Sequence, residues 1–449
     1  MLFTSLPPAL DHGAGVPGIV IAMIFIGIGV GGIKATVNAF IGEFGKNGRF
    51  KMVSSWPRSL TPPLGDQYED TSFQVMMTGK GEMVVVDRTL TMQYIYNIFY
   101  WYLTTTELSL QTYETDLQQD DKSVIPTTFL ERYVGFWMSY LLGPIALCIA
   151  IGLLFLYRNS FVKHPAAGNI LPKAVKALSC AAKNKFKLEA ADPAYQLEHF
   201  NKTVSWSSEF IAELRSGLMA CQVLTVFGVF YLCFNQLSNN LVSQAGQMDL
   251  HGIPNDLIRT FNGIACVICG PIIQKGLYTL LGKYHISFGP IARITAAFII
   301  MSVAMAYATV IQKLIYSSGP CYEYPLECAA SKDGMIHNSV NVWIQVPLYF
   351  ILAVAEILGF VSALEYSYSK APKEMKAIIQ AFTQLMSGLG AALGIAVSPA
   401  AKNPQLVWMY TTLASVMAAT AMIFWLCFRK YDKLDAEIDK QNAERRTEE

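Results

Sequence analysis

Long apolar runs constrain this chain more than any other feature. A helix that crosses the hydrocarbon core of a bilayer needs about 20 mainly apolar residues. Nine such runs occur, near residues 16–40, 92–110, 134–157, 216–238, 258–279, 288–314, 341–367, 376–397 and 405–428. Of the 449 residues, 53% are hydrophobic and 15% charged, against about 25% charged in soluble domains. That balance argues against an ordinary cytosolic enzyme, a disordered chain or a disulfide-stapled small domain. Lys and Arg number 34 and Asp and Glu 33, so no global field points to nucleic acid as a partner. The reading is an all-α polytopic membrane protein with about nine transmembrane helices. The second run is the weakest, because Thr104, Thr105, Thr106 and Glu107 break its far end.

Small residues recur within the runs, as at Gly27, Gly29, Gly31 and Gly32, and at Gly388, Gly390 and Gly394. In lipid such positions let helices approach closely. Positive charge is uneven between the connecting loops. Segments 41–91 and 158–215 are rich in Lys and Arg, and the tail opens with Arg429, Lys430 and Lys433. Segment 239–257 has none, 315–340 has only Lys332, and 398–404 has only Lys402. The basic side is read as the cytoplasm, which puts the C-terminus inside and the start outside. Residues 1–15 lack Lys and Arg, so the first run reads as a span and not as a cleavable signal. Within 158–215, an amphipathic stretch near 170–187 sets Leu171, Val175 and Leu178 beside several lysines. It reads either as a helix on the inner leaflet or as a plain solvated helix.

Most of the nine cysteines lie in apolar runs and read as small hydrophobes, Cys266 and Cys269 included. Cys321 and Cys328 share a polar loop, where an external location would allow a disulfide. The six histidines fall in polar segments without ligand spacing, so no metal site is expected. A membrane-embedded enzyme would need a nucleophile and base at one depth. No His or Asp lies well inside the runs, so enzymatic activity is not expected.

Ionisable groups at membrane depth cost roughly 2.5–3.5 kcal/mol each on insertion scales, and so tend to face a cavity or a partner. Glu356 lies near the middle of 341–367 with no route for snorkelling, which favours a functional role. Lys34 follows Gly31-Gly32-Ile33 near the inner end of the first run and reads equally as functional or snorkelling. Glu365 lies near an inner edge and reads as a solvated head. The run 234–244 carries Asn235, Gln236, Asn239, Asn240 and Gln244, amides suited either to a polar solute or to binding helices together. Asn262 opens the next run on the same outer side. A basic group, an acid and amides around one cavity suit a zwitterion.

With these residues in view, the chain resembles the proton-dependent oligopeptide transporters, in particular their fungal di- and tripeptide branch within the major facilitator superfamily. The resemblance rests on Gly31-Gly32-Ile33-Lys34, on segments 94–101, 127–142 and 231–258, and on 341–345 and 364–372. It implies helices four to twelve of a twelve-helix bundle and proton-coupled symport of di- and tripeptides across the plasma membrane. It implies no cofactor, with protons as the coupling ion, and peptide, protons and the lipid bilayer as partners. By resemblance, Lys34 contacts the peptide carboxylate and takes part in proton coupling. Glu356 holds the peptide amino group and shares in the coupling. Asn262 contacts the peptide backbone, and Asn235 and Gln236 lie on the matching seventh helix.

The organisation then reads as an extracellular lead at 1–15, a partial three-helix bundle at 16–157, a cytoplasmic linker at 158–215, a six-helix bundle at 216–428 and a cytoplasmic tail at 429–449. The chain also departs from the family pattern. The family's Glu-x-x-Glu-Arg motif is missing, Ala35 follows Lys34, and Asn262 is followed by Gly263 where the family has Pro. Segments 43–65 and 104–122 interrupt recognisable motifs. They read as inserts, possible translated introns, with Met1 a late start. The alternative function is a non-transporting remnant or a peptide-binding or sensing membrane protein.

Overall fold

The computed structural model describes residues 17–18, 20–29, 31, 74–77, 83–86, 96–98, 100–101, 104, 144–145, 147–149, 151–152 and 155–156. It then describes 170–447, apart from 185–186, 252–254, 285–287, 333 and 373–374. Lys34, all of 43–65, all of 104–122 except Thr104, and the greater part of the second and third apolar runs lie outside the described residues.

Among the described residues, six helical segments are long and apolar enough to cross a membrane, matching the last six apolar runs. A shorter apolar helix, α1 (Val20–Gly29), falls in the first run. A short antiparallel strand pair, β1 (Gln74–Met77) and β2 (Met83–Val86), lies within segment 41–91, with Gln74 opposite Val86. Its sequence signal is a pair of Val- and Met-rich runs on either side of Gly79-Lys80-Gly81.

The 158–215 segment holds two helices, α2 (Ile170–Lys183) and α3 (Pro193–Phe200). Asp192 caps α3 by accepting from the Ala194 amide at 3.0 Å, and Pro193 sits where a missing N–H costs nothing. Asn201 closes α3 in the left-handed conformation, φ 50°. The first crossing is made by α4 (Ser208–Thr225), capped by Ser207, and α5 (Phe227–Ala245). The second combines α6 (Asn255–Pro271), a π-turn (Ile272–Leu277) and α7 (Tyr278–Lys283). Pro271 cannot donate into the helical ladder, and the wider turn begins at the next residue. The third crossing is α8 (Pro290–Ser317). The fourth is α9 (Val346–Glu356), a π-turn (Ile357–Val361) and α10 (Ser362–Ser369). The last two are α11 (Lys376–Val397) and α12 (Leu406–Thr447).

Packing pairs α8 with α12, α5 with α11, and α6 with α9. Close approach explains two glycines. A Cβ at Gly390 would stand 2.5 Å from the Tyr231 Cβ, and one at Gly359 would stand 2.9 Å from the Phe230 ring. Among the described residues, a Cβ at Gly27, Gly29, Gly31 or Gly388 would meet nothing within 4 Å. Large apolar side chains such as Ile395, Trp408 and Met422 face outward. Water would penalise that surface and lipid would not, so the chain is an integral membrane protein.

A chain of glutamines buried between helices is paired. Gln244 donates to Gln312 at 2.8 Å, Gln312 to Gln247 at 2.9 Å, and Gln345 to Gln244 at 2.9 Å. Cys321 and Cys328 form a disulfide. Buried Asn338 secures that loop, donating to the carbonyls of Ile315 and Tyr322 and accepting from the Cys321 amide. It belongs to β4 (Asn338–Asn341), which pairs in parallel with β3 (Met248–Asp249).

One expectation is overturned here. Glu365 is not a solvated head: it is 1% exposed, and its two oxygens meet Arg293 Nη1 at 2.5 Å and Nη2 at 3.0 Å. A carboxylate enters the apolar interior only with such a partner, and Arg293 of α8 supplies two parallel donors.

Candidate functional site

Glu356 is the last residue of α9, directly before the π-turn, and it is 8% exposed. Such local widenings recur at functional positions because they re-aim side chains. Among the described residues, three donors converge on its carboxylate. The Tyr100 hydroxyl donates to Oε1. Asn262 Nδ2 donates to Oε2 at 3.1 Å, and the Cys266 thiol donates to the same oxygen at 3.8 Å. Asn262 and Cys266 are four residues apart on α6, which places both on one face. Asn262 Oδ1 is buried with no hydrogen-bond partner, leaving an acceptor beside a carboxylate.

Aromatic rings border this carboxylate. Phe360, four residues on, stacks on Tyr231 at 5.1 Å, meets Phe234 edge-on at 5.2 Å, and lies 6.4 Å from Tyr100. The described helical residues 96–98, 100–101 and 104 bring Tyr100 into place. Asn97 donates to Gln274 at 2.6 Å, and the Trp101 indole donates to the Val267 carbonyl at 3.1 Å. Gly270 leaves room for Trp101, since a Cβ there would come 3.1 Å from the indole. Thr104, the first residue of the suspected second insert, donates back to the Tyr100 carbonyl at 2.9 Å.

The structure thus brings Asn262 to Glu356. It treats the α5 amides differently. Gln236 donates across to the Gly394 carbonyl at 3.1 Å and accepts from Asn240 at 2.9 Å. These two bind α5 to α11, as Gln244 binds α5 to α8 and to Gln345. Asn235 is half-buried and Asn239 is exposed. Lys34 lies outside the described residues.

Sequence reasoning missed two participants, and also a buried cation away from the carboxylate. Tyr100 sits in a stretch valued for its motif and not for its hydroxyl. Cys266 reads as a small hydrophobe until its helical offset from Asn262 is weighed. Lys376 is 7% exposed and opens α11; its ammonium meets the Tyr368 hydroxyl at 2.9 Å and lies 4.2 Å from the centre of that ring. Tyr368 in turn meets Tyr96 edge-on at 6.0 Å.

Comparison with known proteins gives the chain its relatives. A family model described as "POT family" matches residues 2–414. The chain is 53% identical over 281 residues to "peptide transporter imqD" of Aspergillus flavus, covering 63% of this chain and 69% of that protein. It is 34% identical over 440 residues to "peptide transporter PTR_A" of Candidozyma auris, covering 98% of this chain and 68% of the relative. The crystal structure of the POT family transporter PepTSo shares the fold, with a TM-score of 0.52, 17% identity and 68% coverage of each chain.

Proposed function

The chain belongs to the POT family, and on that premise we propose that it is a proton-coupled symporter of di- and tripeptides. Its named relatives are peptide transporters, and the carboxylate site on α9 suits one end of such a substrate. A short peptide is a zwitterion whose ammonium has three donors and no acceptor. The observation that carries the reading is that Asn262 Nδ2 donates to the Glu356 carboxylate while Asn262 Oδ1 is buried and left without a donor. Together they offer a charge and a second acceptor to an ammonium.

In this reading Lys34 takes the opposite terminus, the peptide carboxylate. A proton arriving at Glu356 cancels its charge and weakens its hold on the ammonium, which links proton movement to substrate release. Asn235, Asn239, Gln236 and Asn240 line the seventh-helix side, with Gln236 and Asn240 acting through helix positioning. The six crossings from Ser208 to Asp432 form the C-terminal bundle, facing a partial bundle at 16–157. Residues 158–215 and the tail lie in the cytoplasm, and the chain resides in the plasma membrane. The bundles rock about a site near the midplane.

The test is uptake of a labelled dipeptide into cells lacking their own carriers, at mildly acidic and mildly alkaline pH. Acid-stimulated uptake that vanishes in Glu356→Gln supports the reading. Full uptake by that variant rejects the role given to the carboxylate. No uptake by the surface-expressed wild-type chain favours a non-transporting peptide binder.

A further inference from the structure

The linker helices present three kinds of surface. On α2, Ala174, Ala177 and Ala181 are buried and pack toward the short turn Leu188–Ala191. A second face of α2 is apolar yet open, with Val175 55% and Leu178 36% exposed. Helical geometry sets these two within about 60° of each other, on a face distinct from the alanines. Lys173, Lys176 and Lys183 are exposed on the remaining side. Helix α3 repeats the pattern, exposing Leu197 at 54% and Phe200 at 52%, three residues apart. Residues 170–187 contain five lysines and no acid.

These helices are fastened to the start of a membrane crossing. The Trp206 indole donates to the Ala191 carbonyl at 2.8 Å, and Arg215 of α4 meets Glu189 at 2.8 Å. Gln196 of α3 is buried and donates to the Ala190 carbonyl. The open apolar faces are therefore held beside the point where the chain enters the bilayer. Six crossings put that entry on the same side as the tail of α12.

We propose that α2 and α3 dock on the bilayer surface through Val175, Leu178, Leu197 and Phe200, and that Lys173, Lys176 and Lys183 select anionic lipid headgroups. Apolar side chains of this size bury to the headgroup boundary, and lysines near a surface add electrostatic attraction to acidic lipids. The docking holds the linker flat against the leaflet on the tail's side. It rests on the membrane placement of α4 and does not depend on transport.

The experiment is hydrogen–deuterium exchange of the full chain in lipid nanodiscs, comparing phosphatidylserine-rich with pure phosphatidylcholine discs. Backbone amides of α2 exchange about tenfold more slowly in the anionic discs, and added salt removes most of that protection. The variant Val175→Asp/Leu178→Asp, whose sites are already exposed, loses the protection while the spans stay protected. Lys173→Gln/Lys176→Gln/Lys183→Gln loses the difference between the two lipids. Equal exchange of α2 in both discs overturns the proposal, as does anionic protection that survives either set of substitutions.

Discussion

Arg293 on α8 and Glu365 on α10 form a bidentate ion pair sealed inside the helical bundle, with side chains 3% and 1% exposed. Arg293 also donates from Nε to the Phe288 carbonyl at 3.2 Å, so its guanidinium is held from two sides. Breaking a buried pair leaves a naked charge in an apolar setting and costs about 3–5 kcal/mol, whereas replacing both members by apolar groups costs far less. Glu365→Met alone and Arg293→Met alone should each lower the melting temperature of the detergent-solubilised protein sharply. The Arg293→Met/Glu365→Met double variant should recover much of the loss. Additive losses in the double variant would show that the pair is not coupled.

At the site, Asn262→Ala removes a donor 3.1 Å from the Glu356 carboxylate and the free acceptor beside it. Hydrogen bonds to charged groups contribute about 1.5–3 kcal/mol. The KM for a free dipeptide should rise by roughly tenfold or more. A dipeptide with an acetylated amino terminus, already unable to offer an ammonium, should be affected much less. Equal losses for both substrates would place Asn262 away from the amino terminus.

Two glycines on one helix make a packing test. A Cβ at Gly390 would collide with the Tyr231 Cβ at 2.5 Å and with the Leu232 amide nitrogen at 2.9 Å, while one at Gly388 meets open space. Overpacking costs typically about 1–3 kcal/mol. Gly390→Ala should therefore destabilise α5–α11 packing, and Gly388→Ala should melt like the wild type. The comparison is read from thermal unfolding of both variants in the same detergent.

The cysteines allow a direct count. Nine are present and seven are free, leaving the Cys321–Cys328 pair. Maleimide labelling of denatured, unreduced protein from intact cells should add seven groups by intact mass, and reduction should raise that to nine. Nine before reduction would mean that the loop thiols are free.

Much of the architecture was legible in one dimension because membrane insertion reads single runs. A segment that is apolar over about 20 residues needs no distant partner to favour lipid. The last six runs correspond to the six crossings, and a carboxylate at the centre of one of them marks Glu356 by its cost alone. The uneven spread of lysines likewise suggests the side of each loop.

Pairing was not legible, because a polar side chain in lipid means opposite things according to what faces it. Glu365 reads as a solvated head until Arg293, 72 positions away, closes on it. Gln236 and Gln244 read as ligands or as helix glue in equal measure until the carbonyl of Gly394 and the amide of Gln312 are found beside them. Tyr100 and Cys266 carry no signal of their own; Cys266 reaches Glu356 because α6 packs on α9, and Tyr100 because Trp101 beside it bonds to α6. Local hydropathy decided which segments cross the membrane. The close approach of helices distant in sequence decided which buried polar groups are satisfied, because in an apolar interior the partner of such a group has to come from another part of the chain.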